Sequence, residues 1–241
     1  MSLLRVALYD DPAAGDAYQA APGLRTLRLT PRTERPWTAP HPVLPLPPRG
    51  AGTTEDALVP AVDALTDAIT AAFPDRTLTR AVAVPYFPDT AECIDLGRSC
   101  AGNLHDRYAA ISPPFTLGPG EQLVVFGVDH AAAGKATYSS VSIQTVDTQL
   151  GLSAFASDAM PGSARAWLDQ PDADALYAVT FARSCEGVLG VCVAVPETCP
   201  EGAAADQPLK ITARAYLEPT TGAAPLGAEL VLDRMLKIGP P

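Results

Sequence analysis

The stretch "VVFGVDHAAAGKATYSSVSIQ", residues 124–144, decides how the chain reads. Its first part is apolar at both parities, with Val124, Phe126 and Val128 alternating with Val125, and Leu123 just ahead. A strand of that kind is buried on both faces. Its second part alternates. Tyr138, Ser140, Ser142 and Gln144 share one side and Val141 and Ile143 the other, the period of a strand with one face on a core. Read as a hairpin centred on Gly134, the segment makes His130 and Tyr138 cross-strand neighbours, with Lys135 in the turn beside them.

Similar runs fill the rest of the chain. "LLRVALYD" and "GLRTLRLTP" alternate near the N-terminus. "LTRAVAVPYF", "GLSAFAS", "ALYAVTFARS", "GVCVAV", "LKITARAYLEP" and "AELVLDRMLKI" are rich in Val, Thr, Ile, Tyr and Phe, with Gly, Pro, Asp or Asn in the joins. "MPGSARAWLDQPDAD" reads instead as one or two helical turns over residues 163–168. Only "TTEDALVPAVDALTDAITAAF" has a helical period, with Leu58, Val62, Leu65, Ile69 and Phe73 at steps of three and four. Thr53 or Thr54 can cap it, Glu55 and Asp56 suit the positive end of its dipole, Pro60 fits the first turn, and Asp63 and Asp67 point to water. The expected fold is mainly β, an antiparallel β-sandwich or jelly-roll-like arrangement, with one clear amphipathic helix near residues 54–73. We expect a single domain over residues 1–241. Residues 31–52, with seven prolines from Pro31 to Pro48, form an extended connector that packs as an arm or serves as a ligand for a partner domain.

The formal charge of −10 disfavours contact with a phosphate backbone, so no nucleic-acid partner is expected. Apolar runs such as "LVVFGV" are too short for a membrane span. The start "MSLLRVALYDD" lacks the long apolar region of a secretion signal, and a cloned mature chain or a fragment of a larger protein would read the same way. Four of the five cysteines lie in loop-like surroundings, "ECIDLGRSCAG" and "SCEGVLGVCVAVPETCPEG". That placement suits disulfides, and we expect Cys93–Cys100 plus one bridge among Cys185, Cys192 and Cys199, with Cys185–Cys192 the pair favoured. The expected compartment is therefore extracytoplasmic, secreted or periplasmic. Structural zinc prefers cysteines two to four residues apart, wider spacings occur here, and no metal is expected.

Two clusters carry the candidate chemistry. His130, Lys135, Tyr138 and Asp129 combine a group that titrates near neutrality with a phenol and two charges able to shift its pKa, which suits acid–base work or anion binding. Equally, His130 and Tyr138 could satisfy each other at a sheet end while Lys135 is solvated. In "AGNLHDRY", His105, Asp106 and Arg107 lie in a loop beyond the first cysteine pair, where function or an Asp–Arg pair is expected. His105, His130 and Asp129 lack the close spacing of a metal motif. Asp169, Asp172 and Asp174 lack the glutamate of a calcium loop, and Arg214 and Arg234 are expected to pair with Glu218 or Asp233. No nucleophile elbow, phosphate-binding loop or dinucleotide fingerprint occurs, and no cofactor is expected. Two functions follow: a non-catalytic module binding a small ligand or protein, and an enzyme centred on His130 in the 124–144 hairpin.

Overall fold

The computed structural model describes residues 12–21, 23, 25, 27, 47–86, 105–198 and 202–240. The expected strand at residues 3–10, most of the next one and of the Pro-rich stretch, and Cys93, Cys100 and Cys199 lie outside them. The chain divides into two compact units, Met1–Pro45 and Leu46–Pro241. Helix α1, Pro12–Ala20, belongs to the first.

The second unit is mainly β. Its strands are β1 Leu78–Val82, β2 Val84–Pro85, β3 Arg107–Ile111, β4 Gln122–Val128, β5 Tyr138–Thr145, β6 Gly151–Ala156, β7 Leu176–Ala182, β8 Cys192–Ala194, β9 Leu209–Tyr216 and β10 Arg234–Ile238. They form two five-stranded sheets, in the orders β1-β10-β4-β7-β8 and β2-β3-β9-β5-β6. Every pairing is antiparallel except β7 with β8. Helix α2, Val59–Ala71, is the helix expected from the sequence, entered through a 3-10 turn at Asp56–Leu58 with Pro60 in its first turn. Thr54 donates to Asp56 and caps nothing.

The apolar pattern of β4 explains the layering. Leu123 and Val125 face inward with Val179, Phe181 and Met235 and meet Val141, Ile143, Phe155 and Ile211 of the other sheet. Val124, Phe126 and Val128 face outward with Leu176, Ala178 and Leu236 and meet Val62, Leu65 and Ile69 of α2. The first sheet is thus buried on both faces. Each fully buried Leu, Ile, Val or Phe contributes roughly 1.5–3 kcal/mol.

The same pattern corrects the hairpin expected at residues 124–144. β4 pairs with β10 and β7, and β5 pairs with β9 and β6 in the opposite sheet. A strand apolar on both faces belongs in the sheet that has a helix behind it. A strand apolar on one face belongs in the other, and residues 129–137 are the arch between them. The chain also changes sheets between β1 and β2 at fully buried Ala83, whose N–H donates to Asp233 O. β3 was not among the expected strands; Arg107, read as loop with its charged neighbours, opens a short strand with Ala110 buried in the core. The helical turn expected at residues 163–168 is a 3-10 turn at Ser163–Ala166, and a second follows at Pro171–Ala175.

Cys185 and Cys192 are bonded, closing the short connection that lets β8 run parallel to β7. Closing so small a ring stabilises by roughly 2.5 kcal/mol in the chain-entropy model. Arg183 holds the same edge, donating to the carbonyls of Leu117, Val195, Pro196, Ala203 and Ala204. No described helix is long and apolar enough to cross a membrane.

Leu65 is fully buried between α2 and the first sheet, whereas Asp67 on the same helix is exposed. Urea unfolding should show Leu65→Ala losing about 2–5 kcal/mol and Asp67→Ala changing by within about 0.5 kcal/mol. Equal effects would contradict this placement of the helix.

Candidate functional site

The arch is built locally. The Asp129 carboxylate accepts the N–H groups of Ala131 and Ala132 at 3.0 and 3.3 Å, and the carbonyl of His130 accepts those of Lys135 and Ala136 at 2.8 and 3.0 Å. Gly134 provides the turn at φ +76°, a conformation L side chains disfavour. Held this way, His130 and Lys135 both point into the protein, and both are buried.

Lys135 uses all three of its protons. Nζ lies 2.5 Å from Glu218 Oε1, 2.7 Å from Glu229 Oε2 and 2.8 Å from the carbonyl of Thr53. Glu229 in turn accepts the N–H of Gly52 at 2.7 Å. His130 Nδ1 lies 2.8 Å from Glu55 Oε1, and since a carboxylate only accepts, Nδ1 carries the proton. The second oxygen of Glu55 accepts Val231 N–H at 2.8 Å, and the N–H of Glu55 donates to Glu229 O at 3.0 Å. Tyr177 donates to Asp233 Oδ1 at 2.5 Å. A side chain at Gly127 would stand 3.0 Å from that oxygen, so the strand is bare there.

The charges follow from these contacts. Burial alone would lower the His130 pKa, but the bond to Glu55, with Asp233 and Asp129 nearby, raises it above the ordinary 6.5. Burial raises Asp233 above the ordinary carboxylate range, although His130 and Tyr177 oppose that. Burial, helped by Asp233, pushes Tyr177 well above its usual value. Burial would raise Glu229, but the bond from Lys135 and the Gly52 N–H outweigh it and lower its pKa. Beside the imidazole is a cavity of 10 Å³, lined by His130, Ser139, Met160, Tyr177 and Asp233 among others. It has room for about one water.

His130, Lys135 and Asp129 are therefore gathered in one arch, but the two basic groups bind different carboxylates. Tyr138 is not their neighbour. It lies half-buried on the far face of its sheet, opposite Tyr216 in register, with ring centroids 5.6 Å apart. The sheet crossover is the reason, since β5 never pairs with β4. In the second cluster His105 Nε2 lies 2.6 Å from Pro47 O, Asp106 is exposed, and Arg107 opens β3. No described group of three metal-ligating side chains is assembled.

Glu55, Glu218, Glu229, Asp233 and Tyr177 are the members that sequence reasoning missed. Arg234 pairs with Asp63 at 2.6 Å rather than with Asp233, and Glu218 serves Lys135. Comparison with known families, curated proteins and solved structures gives no match for this chain.

A raised folded pKa stabilises fully below the unfolded value, and the gain is lost as pH rises through the folded one. His130 therefore stabilises most below pH 6.5, and Asp233 acts in the same sense. Glu229, being lowered, adds stability above its ordinary 4.5 that is lost in acid. Urea unfolding should show stability falling on the alkaline side of pH 6.5, as the His130 contribution is lost. In His130→Gln the alkaline fall should flatten. An unchanged slope would remove His130 from the account.

Proposed function

We propose that the chain is a non-catalytic binding module for a small ligand or a protein partner, working outside the cytoplasm. The observation that carries this reading is the burial of both reactive bases. His130 is 6 % exposed and Lys135 4 %, and every proton on Lys135 is engaged by the protein itself. A general base must come within hydrogen-bond reach of its substrate, and the space beside His130 is one water in size. Such groups serve as internal counter-ions.

Recognition then belongs to the surface. Arg107, Tyr216 and Tyr138 lie side by side across β3, β9 and β5, all half-buried on the face turned away from the core. Two phenol rings and a guanidinium suit an aromatic or anionic group on a ligand. The bonded Cys185–Cys192 pair supports the oxidising compartment.

Accessibility tests the reading. Diethyl pyrocarbonate should leave His130 unmodified in the native chain and modify it in guanidinium, as read by peptide mass. Modification of His130 in the native protein at the denatured rate would sink the non-catalytic reading and revive the enzyme one.

A further inference from the structure

The Lys135 contact supports more than an ion pair. Its Nζ touches Glu218 at 2.5 Å and Glu229 at 2.7 Å, and the three side chains are 5 %, 1 % and 8 % exposed. The second oxygen of Glu218, Oε2, is buried with no hydrogen-bond partner among the described residues. A buried carboxylate with one oxygen unsatisfied is costly, and converting it to a neutral amide lowers that cost.

We propose that Lys135 and Glu218 condense into an intramolecular isopeptide bond, with Glu229 carrying the proton. One proton passes from the ammonium to the Glu218 carboxylate, leaving a neutral amine against a neutral acid. The two carboxylates favour the ammonium, which has no lone pair, so the reaction proceeds through the minor neutral pair, generated across the 2.5 Å contact. The Nζ lone pair then forms a bond to Glu218 Cδ. Glu229, 2.7 Å from Nζ, accepts a second proton from the nitrogen and delivers it to the departing hydroxyl. The C–O bond breaks and one water leaves. Glu229 ends as the carboxylate it began as, and no oxidant, metal or cofactor enters.

Fixed contact lowers the barrier to the step. Well-oriented intramolecular groups reach effective concentrations of roughly 10⁵–10⁸ M, and burial keeps bulk water from reversing the step. Thr53 O and Glu229 Oε2, both already within reach of Nζ, remain as acceptors for the amide N–H. The bond joins residues 83 positions apart, tying the arch to the end of β9.

The test is the intact mass of the full chain, purified folded, then reduced so that disulfides do not count, and denatured. We expect a chain lighter than its sequence by one water, with digestion yielding a branched peptide that joins Lys135 to Glu218. Glu229→Gln, checked for fold by circular dichroism, should keep the full sequence mass. A wild-type chain of full sequence mass, or a water loss mapping to any other pair, overturns the proposal. A branched peptide in folded Glu229→Gln removes Glu229 from the proton step.

Discussion

When the chain first folds, before any bond to Glu218 forms, Lys135 is a cation placed away from water, and four separate parts of the chain must meet to make that tolerable. The arch supplies the ammonium, the segment ahead of α2 supplies the Thr53 carbonyl, and the turns after β9 and before β10 supply Glu218 and Glu229. Desolvating an ion costs several kcal/mol, and only good geometry with every proton bonded offsets it. The neighbouring His130 repeats the arrangement with Glu55, whose other oxygen holds the chain at Val231. Both basic groups of the arch are thus held by carboxylates from outside it.

This network sits where the fold most needs a fixed join. β4 ends in one sheet and β5 begins in the other, so residues 130–136 must turn the chain across the sandwich on hydrogen bonds made within the arch itself. The same carboxylates fix where the chain enters α2 and where it enters β10, the two elements packed on either side of the β4 backbone or its outer face. One cluster therefore aligns the helix with the sheet it covers. The buried charges thus serve the architecture.

Much of this fold was legible in the sequence, because burial on one face or two writes directly into residue alternation. The double-sided pattern of β4, the single-sided pattern of β5 and the periodic stripe on α2 all correspond to observed layers. What the sequence hid was partnership. Adjacent strands separated by a glycine turn read as a hairpin, and only the helix behind the first sheet shows that they belong to opposite sheets. Likewise Glu55 reads as a dipole partner at a helix start, and Glu218 and Asp233 read as partners for nearby arginines. Their true contacts span 75 residues for Glu55 with His130, 83 for Glu218 with Lys135 and 56 for Asp233 with Tyr177. No local spacing announces contacts of that range. β3 was hidden for a different reason, since it opens on Arg107 directly after the polar His105 and Asp106.

The most direct test of this account is the stability of Lys135→Met, measured by urea unfolding beside the wild type. Methionine keeps much of the side-chain volume and removes the charge, leaving Glu218 and Glu229 buried against an apolar group. Breaking one side of a buried charge network costs about 3–5 kcal/mol, and a loss of that size is the expected result. A change within about 0.5 kcal/mol, the range of an ordinary surface substitution, would mean that Lys135 does not hold these segments together.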